Sequence, residues 1–176
     1  MAEGVGRAQP QEPPLLDAIS TRHLRTFYVV RHAKAGSRSH WAGDDRMRPL
    51  SKKGLQQAEK LVELLAGFTI SSILSSPYLR CVQTVEPLAR ARKLSVKQTP
   101  QLAEGHGLAG LSTFFSDQKL DDLVLCTHGD IVWELVEDLA NRRVLPAFRE
   151  QFEKGSTWVV QVDGTIPVHA RYIPAP

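Results

Sequence analysis

Three short apolar runs constrain this chain most: Phe27-Tyr28-Val29-Val30, the stretch 70–75, and Leu123-Val124-Leu125-Cys126-Thr127. Each is brief and bounded by polar or turn residues, as buried strands are. Helical periods lie between them. After Ser51, the spacing of Leu55, Ala58, Leu61, Val62 and Leu65 predicts a helix whose inner face they form, stopped by Gly67. A second helix is expected near Pro77, with Val82, Val85, Leu88 and Ala89 inward and Pro87 kinking or dividing it. Residues 94–97 read as another strand, 99–107 as a loop and 108–115 as a short helix. Asp130 is placed to cap a helix running through Leu139. The chain ends in a hairpin, 157–162 and 165–172, around an Asp163-Gly164 turn. Strands alternating with helices imply an α/β fold. The expectation is a three-layer α/β/α sandwich with a mostly parallel sheet and a C-terminal antiparallel edge hairpin. Residues 1–24, with Pro10, Pro13 and Pro14, read as a mobile tail, and 25–176 as one domain.

Composition narrows the function classes. The 176 residues are 42% hydrophobic and carry a net charge of +3, which suits one ordinary core. The positive charge is uneven: seven Lys/Arg stand against two Asp between Arg31 and Lys53. Such a patch suits a phosphate-bearing ligand, and no nucleic-acid motif accompanies it. Cys81 and Cys126 lack metal-site or secreted-type spacing and read as reduced thiols of a cytoplasmic protein. No signal peptide or membrane-spanning run is visible, so neither nucleic acid nor membrane is expected as a partner.

The chemistry sits where the strands stop. The first run ends at Arg31-His32, the second at Ser75-Ser76-Pro77 with Arg80 a turn later, and the third at Thr127-His128-Gly129-Asp130. Ligands of open α/β sheets bind at the carboxyl ends of strands. If the three strands are parallel neighbours, two arginines and two histidines meet at one point. Two guanidiniums together require an anion between them, and their planar forks match phosphate. The imidazoles add either donors or a nucleophile, because a neutral histidine can attack phosphorus. Glu104, in Gln-Leu-Ala-Glu-Gly, is the best-placed carboxylate to protonate a leaving oxygen. Other phosphate chemistries fail by inspection. There is no GxxxxGK[ST] loop, neither cysteine has an arginine six residues on, and His, Asp and Glu do not cluster at metal-ligand spacing.

The motifs VVRHAKAG, ILSSPYLRCVQT, QLAEG and LCTHGD resemble, in order and spacing, those of the histidine phosphatase superfamily, also called the phosphoglycerate mutase-like family. RPLSKKGLQQAE is similar to the segment after the first motif in short SixA-type members. The resemblance implies that His32 is the phosphorylated nucleophile, that Arg31, Arg80 and His128 bind the phosphoryl group, and that Glu104 acts as acid and then base. It implies no metal and no cofactor. Lys34, Gly129 and Arg48 join the candidate substrate contacts. Arg38, Arg46, Lys52 and Lys53 are assigned to rim or surface, and Trp133 and Phe148 to packing. The stretch 153–158, EKGSTW, reads as a turn leading into an edge strand. Alanine replaces the family's usual glycine at position 33, so no glycine-only backbone is required there.

The function implied is a phosphomonoesterase working through phosphohistidine. Its substrate class is a phosphorylated small molecule, a nucleotide or a phosphohistidine protein, and the chain acts as a monomer or homodimer. The alternatives are mutase-type phosphoryl transfer, a nucleotide-directed phosphatase, suggested by a resemblance to the domain that follows a Nudix domain in fused relatives, and a non-catalytic phosphate-binding module. Only 23 residues separate Arg80 from Glu104, and 23 separate Glu104 from His128. That leaves little chain to close over a substrate, which favours hydrolysis at an open site.

Overall fold

The structure, a computed structural model, describes residues 23–147 and 150–176. The tail expected over 1–24 lies outside the described residues except for its last two, as does Phe148. Six strands form one sheet: β1 Arg25–Arg31, β2 Ser72–Ser75, β3 Val96–Gln98, β4 Leu123–Thr127, β5 Thr157–Asp163 and β6 Ile166–Ile173. Their order is β3-β2-β4-β1-β5-β6. The first four are mutually parallel, and β5 and β6 add antiparallel strands beyond β1.

Helices cover both faces. Helices α1 (Lys52–Leu64) and α2 (Leu79–Arg92), with Leu65 at the α1 C-cap, pack Leu61, Leu65, Val85 and Leu88 against Tyr28, Val30, Ile73 and Val124. On the opposite face, α3 (Gly107–Ser116) and α4 (Gly129–Asn141) pack Leu111, Phe115, Ile131 and Leu135 against Phe27, Val29 and Leu125. Alternate residues of β1 thus feed two separate cores. Each large apolar side chain fully buried there contributes about 1.5–3 kcal/mol. The three-layer α/β/α architecture is the expected one.

Several local expectations change. Ser51 caps α1, its hydroxyl taking the Gly54 N–H at 3.2 Å. Leu55, however, is 48% exposed, and Gly54 holds the inward position instead. A Cβ at Gly54 would stand 2.0 Å from the Lys34 carbonyl oxygen, so α1 lies directly on the chain leaving β1. Helix α2 runs unbroken through Pro87, which is buried. Packing on α1 and the sheet holds the helix together despite the missing N–H. Asp163 pairs with Ile166, so the hairpin turn is Gly164-Thr165, one residue later than expected. Strand β5 is internal, bonded to β1 and β6, so the 153–156 turn leads into an inner strand and β6 is the edge. Pro167 is tolerated on that edge strand.

Candidate active site

Parallel pairing sets Arg31 opposite Thr127, and the His32 N–H donates to the Thr127 carbonyl at 2.9 Å. His32 is 7% exposed, and its Nδ1 lies 2.8 Å from the Ala33 carbonyl oxygen. A carbonyl can only accept, so Nδ1 carries the hydrogen and Nε2 the lone pair. Burial, with the charges of His128, Arg80 and Arg31 added and the Ala33 bond only partly opposing, pushes the His32 pKa down to about 3. His32 is therefore a neutral imidazole at physiological pH, with Nε2 its basic nitrogen. Ala33 is buried, and its N–H donates to the Thr84 hydroxyl at 2.9 Å. Its φ is not positive, in keeping with the alanine.

His128, 1% exposed, stands beside it, with ring centroids 5.4 Å apart and planes at 68°. Its Nε2 lies 2.8 Å from the Ser76 Oγ. That hydroxyl also accepts the Tyr78 N–H at 3.4 Å and keeps one hydrogen that it can donate to Nε2, which Cys81 Sγ also approaches at 3.5 Å. With the hydroxyl as donor, the ring hydrogen of His128 sits on Nδ1, which is buried and without a partner. Ser76 follows β2, anchored by its N–H to the Cys126 carbonyl at 2.9 Å. Cys81 and Cys126 are free thiols buried behind the ring.

The arginines complete a cradle. Arg31 donates through Nη1 to the Phe152 carbonyl, and its guanidinium crosses the start of α4. A Cβ at Gly129 would sit 2.6 Å from Arg31 Nη2, so glycine is what lets the guanidinium pass. Arg80, 1% exposed, donates to the Asp45 carbonyl at 2.8 Å and pairs with the Asp45 and Glu104 carboxylates at 3.1 and 3.3 Å. Its guanidinium carbon lies 4.6 Å from the Tyr78 ring centroid. Arg31 Nε and Arg80 Nε, like His128 Nδ1, are buried donors with no partner. Three orphan donors from three strand or helix termini suit one oxyanion.

Around them opens a cleft of about 730 Å³. His32, Arg31, Arg80, Glu104, Gly129 and Lys34 all line it, as does Arg48. Arg48 is 7% exposed and donates to Asp45 at 2.8 Å and to the Gly36 carbonyl at 2.7 Å, so it buttresses the cleft wall. Arg38 is a rim residue bridging Asp45 and Glu104 at 3.3 and 3.4 Å. Two assignments are corrected. Asp130 lies in the first turn of α4 rather than at its cap, which is His128. Its carboxylate accepts the Gly105 N–H at 2.8 Å and so fixes the loop carrying Glu104. Trp133 is 40% exposed and lines the cleft with its edge-to-face partner Phe152, because its helix face turns toward the mouth.

Sequence reasoning missed Asp45, Ser76, Phe152 and Lys154. Asp45 gathers Arg38, Arg48 and Arg80 around one carboxylate. Chiefly through the Arg48 hydrogen bond, its pKa falls to about 2, so it remains a charged clamp. Its surplus of neighbouring arginines was the available signal. Phe152 contributes its carbonyl to Arg31 and its ring to the contact with Trp133, and both partners lie elsewhere in the chain. Among the described residues no group of three or more His, Cys, Asp or Glu is arranged to hold a metal ion. No described helix is long and apolar enough to cross a membrane.

A cluster of buried arginines and histidines at the carboxyl edge of a parallel sheet suits an oxyanion ligand, and comparison adds relatives to the fold. Residues 27–113 match the histidine phosphatase superfamily (branch 1). An 8-oxo-(d)GTP phosphatase of Mycolicibacterium smegmatis is 35% identical over 86% of this chain, which spans 49% of that protein's length. A phosphohistidine phosphatase SixA homolog of Haemophilus influenzae is 25% identical over 66% of this chain and 78% of its own. The structure of the protein histidine phosphatase SixA complexed with tungstate superposes with a TM-score of 0.68, at 21% identity, over 84% of this chain and 94% of that one.

Proposed function

We propose that the protein is a phosphatase that hydrolyses phosphomonoesters through a phosphohistidine at His32, without a metal ion. The observation that carries this reading is the pairing of a neutral His32, its Nε2 free for attack, with the three orphan donors of Arg31, Arg80 and His128. In the first step Nε2 bonds to phosphorus as the ester P–O bond breaks. Charge on the equatorial oxygens falls to the two guanidiniums and His128 Nδ1–H. A phosphoryl group that engages Arg80 loosens its bond to Glu104, which then protonates the departing oxygen. In the second step Glu104 takes a proton from water, the water oxygen bonds to phosphorus, the P–N bond breaks, and orthophosphate leaves. Two relatives support hydrolysis over other fates: one is described as an 8-oxo-(d)GTP phosphatase and one as a phosphohistidine phosphatase homolog.

The test incubates wild type and His32→Ala with p-nitrophenyl phosphate, 3-phosphoglycerate and a phosphohistidine protein, with EDTA present. Wild type should release phosphate and accumulate an acid-labile phosphoenzyme, and His32→Ala should do neither. Full turnover by His32→Ala would end the nucleophile assignment. Loss of wild-type activity in EDTA would end the metal-free one. Isomerisation of phosphoglycerate without phosphate release would make the protein a mutase.

A further inference from the structure

Beyond the phosphoryl cradle, the same cleft carries more positive charge than one phosphate needs. Arg38, Arg48 and Arg80 are already matched by Asp45 and Glu104. The exceptions are Lys34 and Lys154, which line the cleft and form no ion pair among the described residues. Their closeness is built into the fold. Gln57, 8% exposed, accepts the Lys34 N–H on Oε1 at 3.0 Å and donates from Nε2 to the Lys154 carbonyl at 2.9 Å. One buried amide thus staples the two lysine-bearing segments together. Lys154 is also tied to the cradle, since the next residue, Gly155, donates its N–H to the Arg31 carbonyl at 3.1 Å. Lys34 follows His32 by two positions. Burial first, and then Arg31, Arg48, Lys34 and Arg38, draw the Lys154 pKa below its ordinary value, a sign of uncompensated cations.

We infer that Lys34 and Lys154 form a second anion subsite that holds the inner phosphate of a diphosphate ester while its terminal phosphoryl group lies at His32. The inference rests on the phosphoryl cradle proposed above and narrows its substrate class. A second observation points the same way. Glu104 is engaged by both Arg80 and Arg38. An alkoxide leaving group depends on a proton donor, whereas a phosphate monoester oxygen, with a second pKa of about 6, departs as an anion. In the reaction His32 Nε2 bonds to the terminal phosphorus, the bridging P–O bond breaks and a monophosphate ester leaves. Water then gives a proton to Glu104 as its oxygen bonds to phosphorus, the P–N bond breaks and orthophosphate leaves His32.

The test separates the subsite from the catalytic reading. Binding of orthophosphate and of methylenediphosphonate, whose P–C–P bridge resists hydrolysis, is measured by calorimetry. The proteins are wild type, Lys34→Met/Lys154→Met and Lys34→Arg/Lys154→Arg. Wild type should bind the diphosphonate at least about tenfold more tightly than orthophosphate, as one or two charge-assisted hydrogen bonds provide. The methionine pair should lose that preference while keeping orthophosphate affinity within about threefold, and the arginine pair should retain it. In turnover, kcat/KM for a nucleoside diphosphate should fall about 10–100-fold more than kcat/KM for p-nitrophenyl phosphate in the methionine pair. Lys60→Met/Lys97→Met removes the same charge away from the cleft and should change neither ratio. Retained diphosphonate preference in the methionine pair, or equal loss for both anions, would overturn the subsite. Failure of the catalytic reading has a different signature, an active His32→Ala enzyme, and leaves the binding result intact.

Discussion

The ends of β1 and β4 lie side by side, and each delivers a buried histidine to the same spot, yet the two rings are held by opposite nitrogens. His32 is bonded through Nδ1 to its neighbour's carbonyl, and His128 through Nε2 to a serine hydroxyl from a third strand end. The first arrangement fixes the hydrogen on the bonded nitrogen and exposes a lone pair. The second leaves Nδ1–H as a donor. A backbone acceptor leaves a lone pair able to attack, and a hydroxyl donor leaves an N–H able to bind an anion. Residue type alone does not distinguish the two roles.

Breaking this asymmetry should give a graded series. His32→Ala removes the proposed nucleophile and should lower kcat by at least about 10⁴-fold, as loss of other nucleophiles does. Single-turnover assays with acid-quench detection of phosphoenzyme check this. His128→Ala removes one donor to the developing charge and should cost about 10²–10³-fold in kcat while phosphoenzyme still forms. Ser76→Ala leaves His128 in place but frees its tautomer. A loss of about 3–10-fold in kcat, with KM nearly constant, is expected from one neutral hydrogen bond. If Ser76→Ala matches His128→Ala, the hydroxyl does more than orient the ring.

Two pH measurements sharpen the comparison further. With its pKa pushed down to about 3, His32 should show a neutral Nδ1–H signature by ¹⁵N NMR at pH 6, and a titration near the ordinary histidine value would contradict its burial. The unfolded chain takes up this proton near pH 6.5 and the folded chain does not, so folding stability should decline as pH falls from there toward about 3. His32→Ala should flatten that decline in thermal melts. Asp45 contributes in the depressed-carboxylate sense. Its contribution is present above the ordinary carboxylate value of about 4 and disappears as pH falls through about 2. Asp45→Asn should remove that lower segment of the acid limb and, by loosening Arg80, raise KM severalfold; unchanged KM would show that Arg80 needs no clamp.

What was legible in the sequence was whatever a side chain declares locally. The apolar runs announced β1 and β4, and the polar residues just past them announced the cradle. Ser51 announced the start of α1. What stayed hidden depends on a second segment being in place. Leu55 falls within the helical period, but only the approach of the Lys34 carbonyl shows that Gly54 faces inward. Asp130 looks like a cap until the Gly105 N–H meets its carboxylate. The 153–156 turn reads as an approach to an edge because nothing within it reveals that β6 lies beyond β5. Lys154 and Gln57, far apart in sequence, become related only through the backbone of position 34.

The place of β1 in the sheet has a consequence for how the protein acquires activity. It lies between β4 and β5, bonded to both, and Arg31 reaches a carbonyl 121 positions along the chain. Apart from the His32–Ala33 bond and the Arg80–Tyr78 contact, the cradle is held by long-range contacts. Such contacts form late, after the entropy of closing large loops has been overcome. During refolding, helix signal should therefore return before catalysis, and a chain truncated ahead of β5 should bind no phosphate however well its first half collapses. Catalytic competence serves in this fold as a readout of completed chain topology.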